Sequence, residues 1–212
     1  MNDENAPSSE NDAEPVELPA IEFQSPGRFT VHNPQTAPPE GERWEPAPFV
    51  LGSHEPMERF SQPAEARTHV MALLQQAQRS LCLYSSDLEP WLYHHSSVQE
   101  TCTRFLLAHP KSHLRILVRD STRAVKEGHR LLQLARRLPS SVQIRKLHPN
   151  YPNEEITFLL VDGIGLLLRP ELDQYAGYAL YHDPARARLR QTQFEQAWDT
   201  SITDPDLRSF LL

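Results

Sequence analysis

Ile156-Thr157-Phe158-Leu159-Leu160-Val161-Asp162-Gly163-Ile164-Gly165-Leu166-Leu167-Leu168 is the stretch on which the fold turns. Two apolar runs of strand length flank an Asp-Gly pair. A two-residue Asp-Gly connection is a strong hairpin signal, because the favoured turn needs positive φ at both central residues. The stretch is also the longest apolar-rich run in the chain. It is interrupted by Asp162 and falls short of the about 20 residues needed to span a bilayer, so no membrane segment is expected.

Working outward, the spacing predicts alternating elements. Residues 64–78 carry Val70, Leu73, Leu74 and Ala77 at i, i+3, i+4 and i+7, the pattern of an amphipathic helix, with Pro63 in its first turn and Ser61 as a candidate cap. Residues 81–85 read as a buried strand, 87–90 as a turn and 98–108 as a helix ending before Pro110. Residues 114–118 and 142–147 read as strands on either side of a single helix from about 121 to 138. After the hairpin come a strand at 176–181, a long helix from Pro184 to Trp198 and a short one over 204–211. Alternating units followed by a meander imply an α/β class with a mixed sheet and helices on its faces.

The chain has 212 residues and a formal charge of -7, unevenly divided. Residues 1–60 hold 12 acidic against 3 basic side chains, whereas residues 111–150 hold 2 against 10. Most of the 19 prolines lie in the N-terminal third, where large apolar residues are sparse. Residues 1–48 are therefore expected to form a disordered acidic, Pro-rich tail, with Phe23, Phe29 and Trp44 as isolated aromatics, and residues 49–212 the domain. Phe49-Val50-Leu51 is a candidate first strand. Cys82 and Cys102 are too few for a disulfide framework, and the N-terminus lacks the pattern of a secretory signal, so a reduced cytoplasm is expected.

The order of elements resembles one half of the phospholipase D superfamily. Leu114-Arg115-Ile116-Leu117-Val118-Arg119-Asp120 is similar to that family's second strand, and Phe194-Glu195-Gln196-Ala197-Trp198 to its closing Phe-x-x-x-Trp. The resemblance covers about residues 65–200 and extends to bacterial domains that have lost the family's motif. It implies a His-x-Lys-x-x-x-x-Asp motif on the hairpin. Here Asp162 stands at the Asp position, Thr157 where the Lys belongs and Glu155 where the His belongs. Phosphoryl transfer needs a nucleophile and a stabiliser of phosphate charge. Glu155 beside Glu154 would repel a phosphodiester, and nothing nearby in sequence supplies the missing cation. The resemblance thus implies a non-catalytic binding or regulatory module. Since the catalytic family builds one site from two halves, a homodimer is implied too.

Three further features carry chemistry. Arg123, Lys126, Arg130 and Arg137 fall within roughly a 60° arc if one helix carries them, with Arg115, Arg145 and Lys146 extending the charge. Such a stripe suits nucleic acid or another polyanion, a protein partner such as an acidic segment, or simply solvent. Ser85 and Asp87 end one expected strand and Asp120 and Ser121 the next, a crevice if the strands are neighbours and otherwise turn and cap residues. The ten histidines show no zinc spacing, and no metal or cofactor is expected. A residual phosphodiester hydrolase using Glu155 and Asp162 is the remaining alternative.

Overall fold

In a computed structural model, residues 44–152 and 155–208 are described. Residues 1–43, with Phe23 and Phe29, and residue Glu154 lie outside them. The hairpin is the centre of the sheet. β5 (Thr157–Val161) and β6 (Gly165–Arg169) pair antiparallel, Thr157 opposite Arg169 and Val161 opposite Gly165. At the turn Asp162 has φ 52° and Gly163 φ 71°, and the Ile164 N–H donates to the Val161 carbonyl at 3.1 Å. Positive φ at both central positions is the sign pattern of the type I′ turn expected of Asp-Gly, but the connection is three residues, 162–164, rather than two, since Val161 pairs with Gly165.

β2 (Ser80–Ser85) runs antiparallel to β5 on one side and parallel to β3 (His113–Val118) on the other, with β4 (Val142–Lys146) parallel beyond it. On the far side of β6 lie β7 (Gly177–Leu180) and β1 (Glu58–Phe60). The sheet order is β1-β7-β6-β5-β2-β3-β4. The mixed α/β sheet expected from the sequence is what is found.

Strand periodicity divides the sheet into two faces. Leu81, Leu83, Ile116, Leu159 and Leu167 pack with α1 (Pro63–Gln76), α3 (Ser96–Ala108), α4 (Thr122–Lys126) and α5 (Arg130–Arg137). Cys82, Tyr84, Leu117, Phe158 and Leu160 pack under α6 (Pro184–Asp199) through Phe194, Ala197 and Trp198. Strands covered on both faces need apolar residues at every position, hence the unbroken Leu-Leu-Val and Leu-Leu-Leu runs. The N-cap of α1 is Gln62, one residue after the expected Ser61, and the Glu65 carboxylate accepts the Ser61 and Gln62 N–H groups.

Four local readings are corrected. Phe49-Val50-Leu51 is not a strand; the Leu51 N–H donates to the Gln76 side chain, which returns a bond to the Phe49 carbonyl. The strand is instead β1, too short for any period to show. Trp44 to Pro48, assigned to the tail, lie against the domain: Trp44 stacks on His95 at 4.2 Å under the Arg67 guanidinium, and the Ala47 N–H donates to the Thr68 carbonyl. The single helix expected over 121–138 is two, α4 and α5, broken where Gly128 takes φ 62°. A further short helix, α2 (Pro90–Tyr93), follows the 87–90 turn, and the terminal helix α7 is described over Pro205–Arg208.

Gly177 lies where β7 crosses closest to its neighbours. A Cβ there would meet the Leu168 carbonyl oxygen at 2.4 Å and the Phe60 ring at 2.7 Å. Gly177→Ala should therefore lower unfolding stability by about 2–3 kcal/mol, read as a shifted urea midpoint at unchanged m-value.

Candidate functional site at the carboxyl ends of the parallel strands

The last rung of the sheet is polar. Tyr84 opposite Phe158 and Thr157 opposite Arg169 set the register, so Ser85, Thr157 and Arg169 follow one another across β2, β5 and β6. Alternation puts all three on the face of Leu83, Leu159 and Leu167. Their exposures are 0%, 2% and 1%.

An arginine there needs its charge and all its donors answered. The Arg169 guanidinium pairs through Nη1 with the carboxylate of Glu89, itself 4% exposed. Nε donates to the Gln174 carbonyl at 3.1 Å, and Nη2 to the carbonyls of Glu171, Leu172 and Gln174. The plane lies over Trp91 at 4.9 Å, and Tyr175 meets that ring edge-on. Burial lowers the Arg169 pKa. One side chain thus holds the sheet end, the α2 turn and the 171–174 loop together.

Glu89 reaches Arg169 through an unusual backbone. Leu88 has φ 66° and Glu89 φ 38°, two successive left-handed residues without glycine. Each costs on the order of 1–2 kcal/mol. They are held by Ser85 Oγ, which accepts the Leu88 N–H at 3.1 Å, and by Asp87 Oδ1, which accepts the Glu89 N–H at 2.9 Å.

The three motif positions do not meet. Thr157 is buried beside Arg169, and Glu155 is exposed just before β5. Asp162 is at the other end of the strand, about 16 Å away at roughly 3.3 Å per residue. There its carboxylate accepts the N–H groups of Gln78, Arg79 and Ser80 at 2.7–2.8 Å, tying the hairpin to the start of β2. Glu155 and Asp162 therefore cannot act on one bond.

The two strand-end loops do lie side by side, because β2 and β3 are neighbours and the Ser86 carbonyl accepts the Arg119 and Asp120 N–H groups. Their side chains are occupied locally. Asp120 Oδ1 accepts the Thr122 N–H, and the Thr122 hydroxyl and backbone lower its pKa. Ser121 donates to Asp204 at 2.8 Å. Burial raises the Asp87 pKa despite Arg123 at 3.7 Å.

His129, 1% exposed, caps α5 by accepting the Leu131 N–H at Nδ1. Burial, with His94 alongside, lowers its pKa to about 3.

The basic stretch is not one stripe. Arg123 and Lys126 lie on α4, and Arg130 and Arg137 on α5. Arg123 also pairs with Glu127, and Arg130 donates to Gln99. Arg115 and Arg145 are on the opposite face of the sheet, stacked on Trp198, with Arg115 bonded to Glu195. Lys146 pairs with Asp204. The strand cations therefore do not extend the helical ones.

Sequence reasoning missed Arg169 and Glu89. A two-residue Asp162-Gly163 connection would put Leu168 opposite Thr157, and only the third connecting residue, Ile164, brings Arg169 there. Nothing local announces Glu89, whose position depends on two backbone angles. Among the described residues no helix is long and apolar enough to cross a membrane, and no group of three His, Cys, Asp or Glu could hold a metal ion.

This is an α/β domain with a mixed sheet flanked by helices. A family model described as a domain of unknown function, DUF7931, matches residues 62–210, and the chain belongs to that family. No curated protein matches the sequence. Among solved structures it is similar to TrmBL2, an archaeal chromatin protein described as showing a novel mode of DNA binding, at 12% identity and a TM-score of 0.53 over 71% of this chain and 54% of that one. It thus spans about half the length of TrmBL2, and at this identity the likeness is one of fold. Nuc from Salmonella typhimurium, a phospholipase D family member, is 13% identical with a TM-score of 0.49, over 69% of this chain and 95% of that one. NucT from Helicobacter pylori is 7% identical with a TM-score of 0.48, over 70% and 99%.

Removing one partner of the buried pair strands the other charge. Glu89→Ala should cost about 3–5 kcal/mol in urea unfolding, and the apolar double replacement Glu89→Leu with Arg169→Met should recover most of it. Since the folded chain keeps His129 neutral and the unfolded chain protonates near 6.5, unfolding takes up a proton between about pH 6.5 and 3. The stability from neutral His129 is present above that window and lost as pH falls through it. His129→Asn should remove about one proton, or about 1.4 kcal/mol per pH unit, from the slope of stability against pH there.

Proposed function

We propose that this chain is a phospholipase D-like module that does not hydrolyse phosphodiesters and works by binding. One observation carries this reading: the cation nearest the expected lysine position, Arg169, is buried against Glu89 and three loop carbonyls. A guanidinium so engaged is held by its own chain and is not free to meet the charge that develops on a phosphoryl group. Thr157 opposite it supplies neither a nucleophilic imidazole nor a positive charge, and exposed Glu155 would add negative charge at the entrance. Asp162, the one motif residue retained, holds backbone at the far end of the strand.

The binding partner belongs to the same proposal. TrmBL2 is described as a DNA-binding chromatin protein, which makes nucleic acid the first polyanion to test. Lys126 and Arg137, both exposed, are the residues of the 123–146 region with charge to offer. A homodimer, the pairing implied by half of a two-lobed fold, is read by light scattering as twice the chain mass.

Hydrolysis is tested with bis(p-nitrophenyl) phosphate and an end-labelled DNA strand, using the full chain across neutral pH. No turnover above the blank is expected. A rate that survives purification and disappears in Arg169→Gln or Thr157→Val would overturn the reading.

A further inference from the structure

A second surface, on the opposite face and at the other edge of the sheet, goes beyond that reading. α6 packs over β3, β5 and β6. Beside it, where β7 and β1 continue the sheet, a groove of about 730 Å³ lies open. Tyr178 and Arg59 are paired across β7 and β1 and lie on this face, next to half-buried Met57. Arg186, in the first turn of α6, forms the opposite wall.

The cations lining the groove, Arg59 and Arg186, outnumber the one lining anion, Glu65. Arg59 is exposed and makes no hydrogen bond or ion pair among the described residues. The Glu65 carboxylate, also at the groove, is turned onto the Ser61 and Gln62 N–H groups. Asp183 caps α6 by accepting the Arg186 N–H and stands 3.6 Å from the Arg186 guanidinium, so it offsets part of one cation only. Between Pro184 and Glu195 the helix carries Arg186, Arg188 and Arg190 and no acid. Arg186 and Arg190 are one turn apart on one side of it.

We propose that this groove takes a single-stranded segment of nucleic acid, one base stacked on the Tyr178 ring and the adjoining phosphates on Arg59 and Arg186. An aromatic face between guanidinium groups is the arrangement that holds single strands without reading their sequence. A duplex keeps its base faces stacked within itself and could not use Tyr178. An acidic peptide would satisfy the cations but leave the ring and Met57 without a flat partner.

Fluorescence anisotropy with the full chain tests this, using labelled twelve-residue oligo(dT) and oligo(U). Tyr178→Ala should weaken binding by about 5- to 150-fold, the range expected of one lost stacked base. Arg59→Glu with Arg186→Glu should abolish it at low salt, while Lys111→Glu, at an exposed loop away from the groove, should leave it unchanged. These residues are exposed or half-buried, and circular dichroism melts matching the parent keep the comparison clean. Four results would each overturn the proposal: no binding at low ionic strength, undiminished binding in the Arg59 and Arg186 variant, AMP binding as tightly as the oligonucleotide, or poly-glutamate competing as well as nucleic acid does. None of them bears on hydrolysis, so this site and the silent phosphodiester centre stand or fall separately.

Discussion

The Glu89–Arg169 pair is the constraint on which the carboxyl end of this domain depends. A sheet buried on both faces has no place for a lone charge, since moving one into such surroundings costs several kcal/mol even after relaxation. Arg169 is tolerated only because Glu89 and three loop carbonyls answer it. The need works in the other direction too. Leu88 and Glu89 hold a left-handed backbone that no isolated peptide would keep, and the pair, with the Ser85 and Asp87 side chains, is what holds them there. Strain and buried charge are each unfavourable alone and stable together.

That coupling puts the charges of the strand end to use in holding the fold. In a phosphoryl-transfer centre the cation must be free to meet charge that appears only during reaction. Here the anion is built into the chain and is always present. The same holds at the other end of β5, where the Asp162 carboxylate is spent on three backbone N–H groups. The hairpin keeps its geometry by using these groups for architecture.

The sequence made the sheet legible and left its ends obscure, for a physical reason. Runs such as Phe158-Leu159-Leu160-Val161 and Leu166-Leu167-Leu168 can satisfy burial in one way only, and Asp162-Gly163 fixes how they join. Long helices with a regular apolar spacing were visible for the same reason. The break at Gly128 was not, because one glycine inside a helical pattern is usually tolerated, and here the His129 cap that begins a second helix decides the matter. β1 was invisible because three residues carry no period. Trp44 was taken for a stray aromatic because its partners, His95 and Arg67, are distant in sequence. Of the side chains around Arg169, Ser85, Asp87 and Thr157 stand out in the sequence, whereas Glu89 depends on backbone angles that no composition reveals.

The location of the basic residues follows from the same burial. Arg115 and Arg145 look in sequence like members of a positive patch continuous with α4 and α5. Strand alternation sends them beneath α6, where Trp198 covers both guanidinium groups and Glu195 neutralises one. Net charge along a sequence block is therefore a poor guide to surface potential in a two-faced sheet, since half of each strand's side chains leave on the side away from α4 and α5. The cations that remain accessible are those on elements with one face in water: the outer turns of α4 and α5, the first half of α6, and Arg59 on the short edge strand. Because a central strand has no free edge and no bare face, a partner that meets the sheet itself does so at a strand end or at an edge. The strand end is sealed by its own glutamate, and the β7–β1 edge is open.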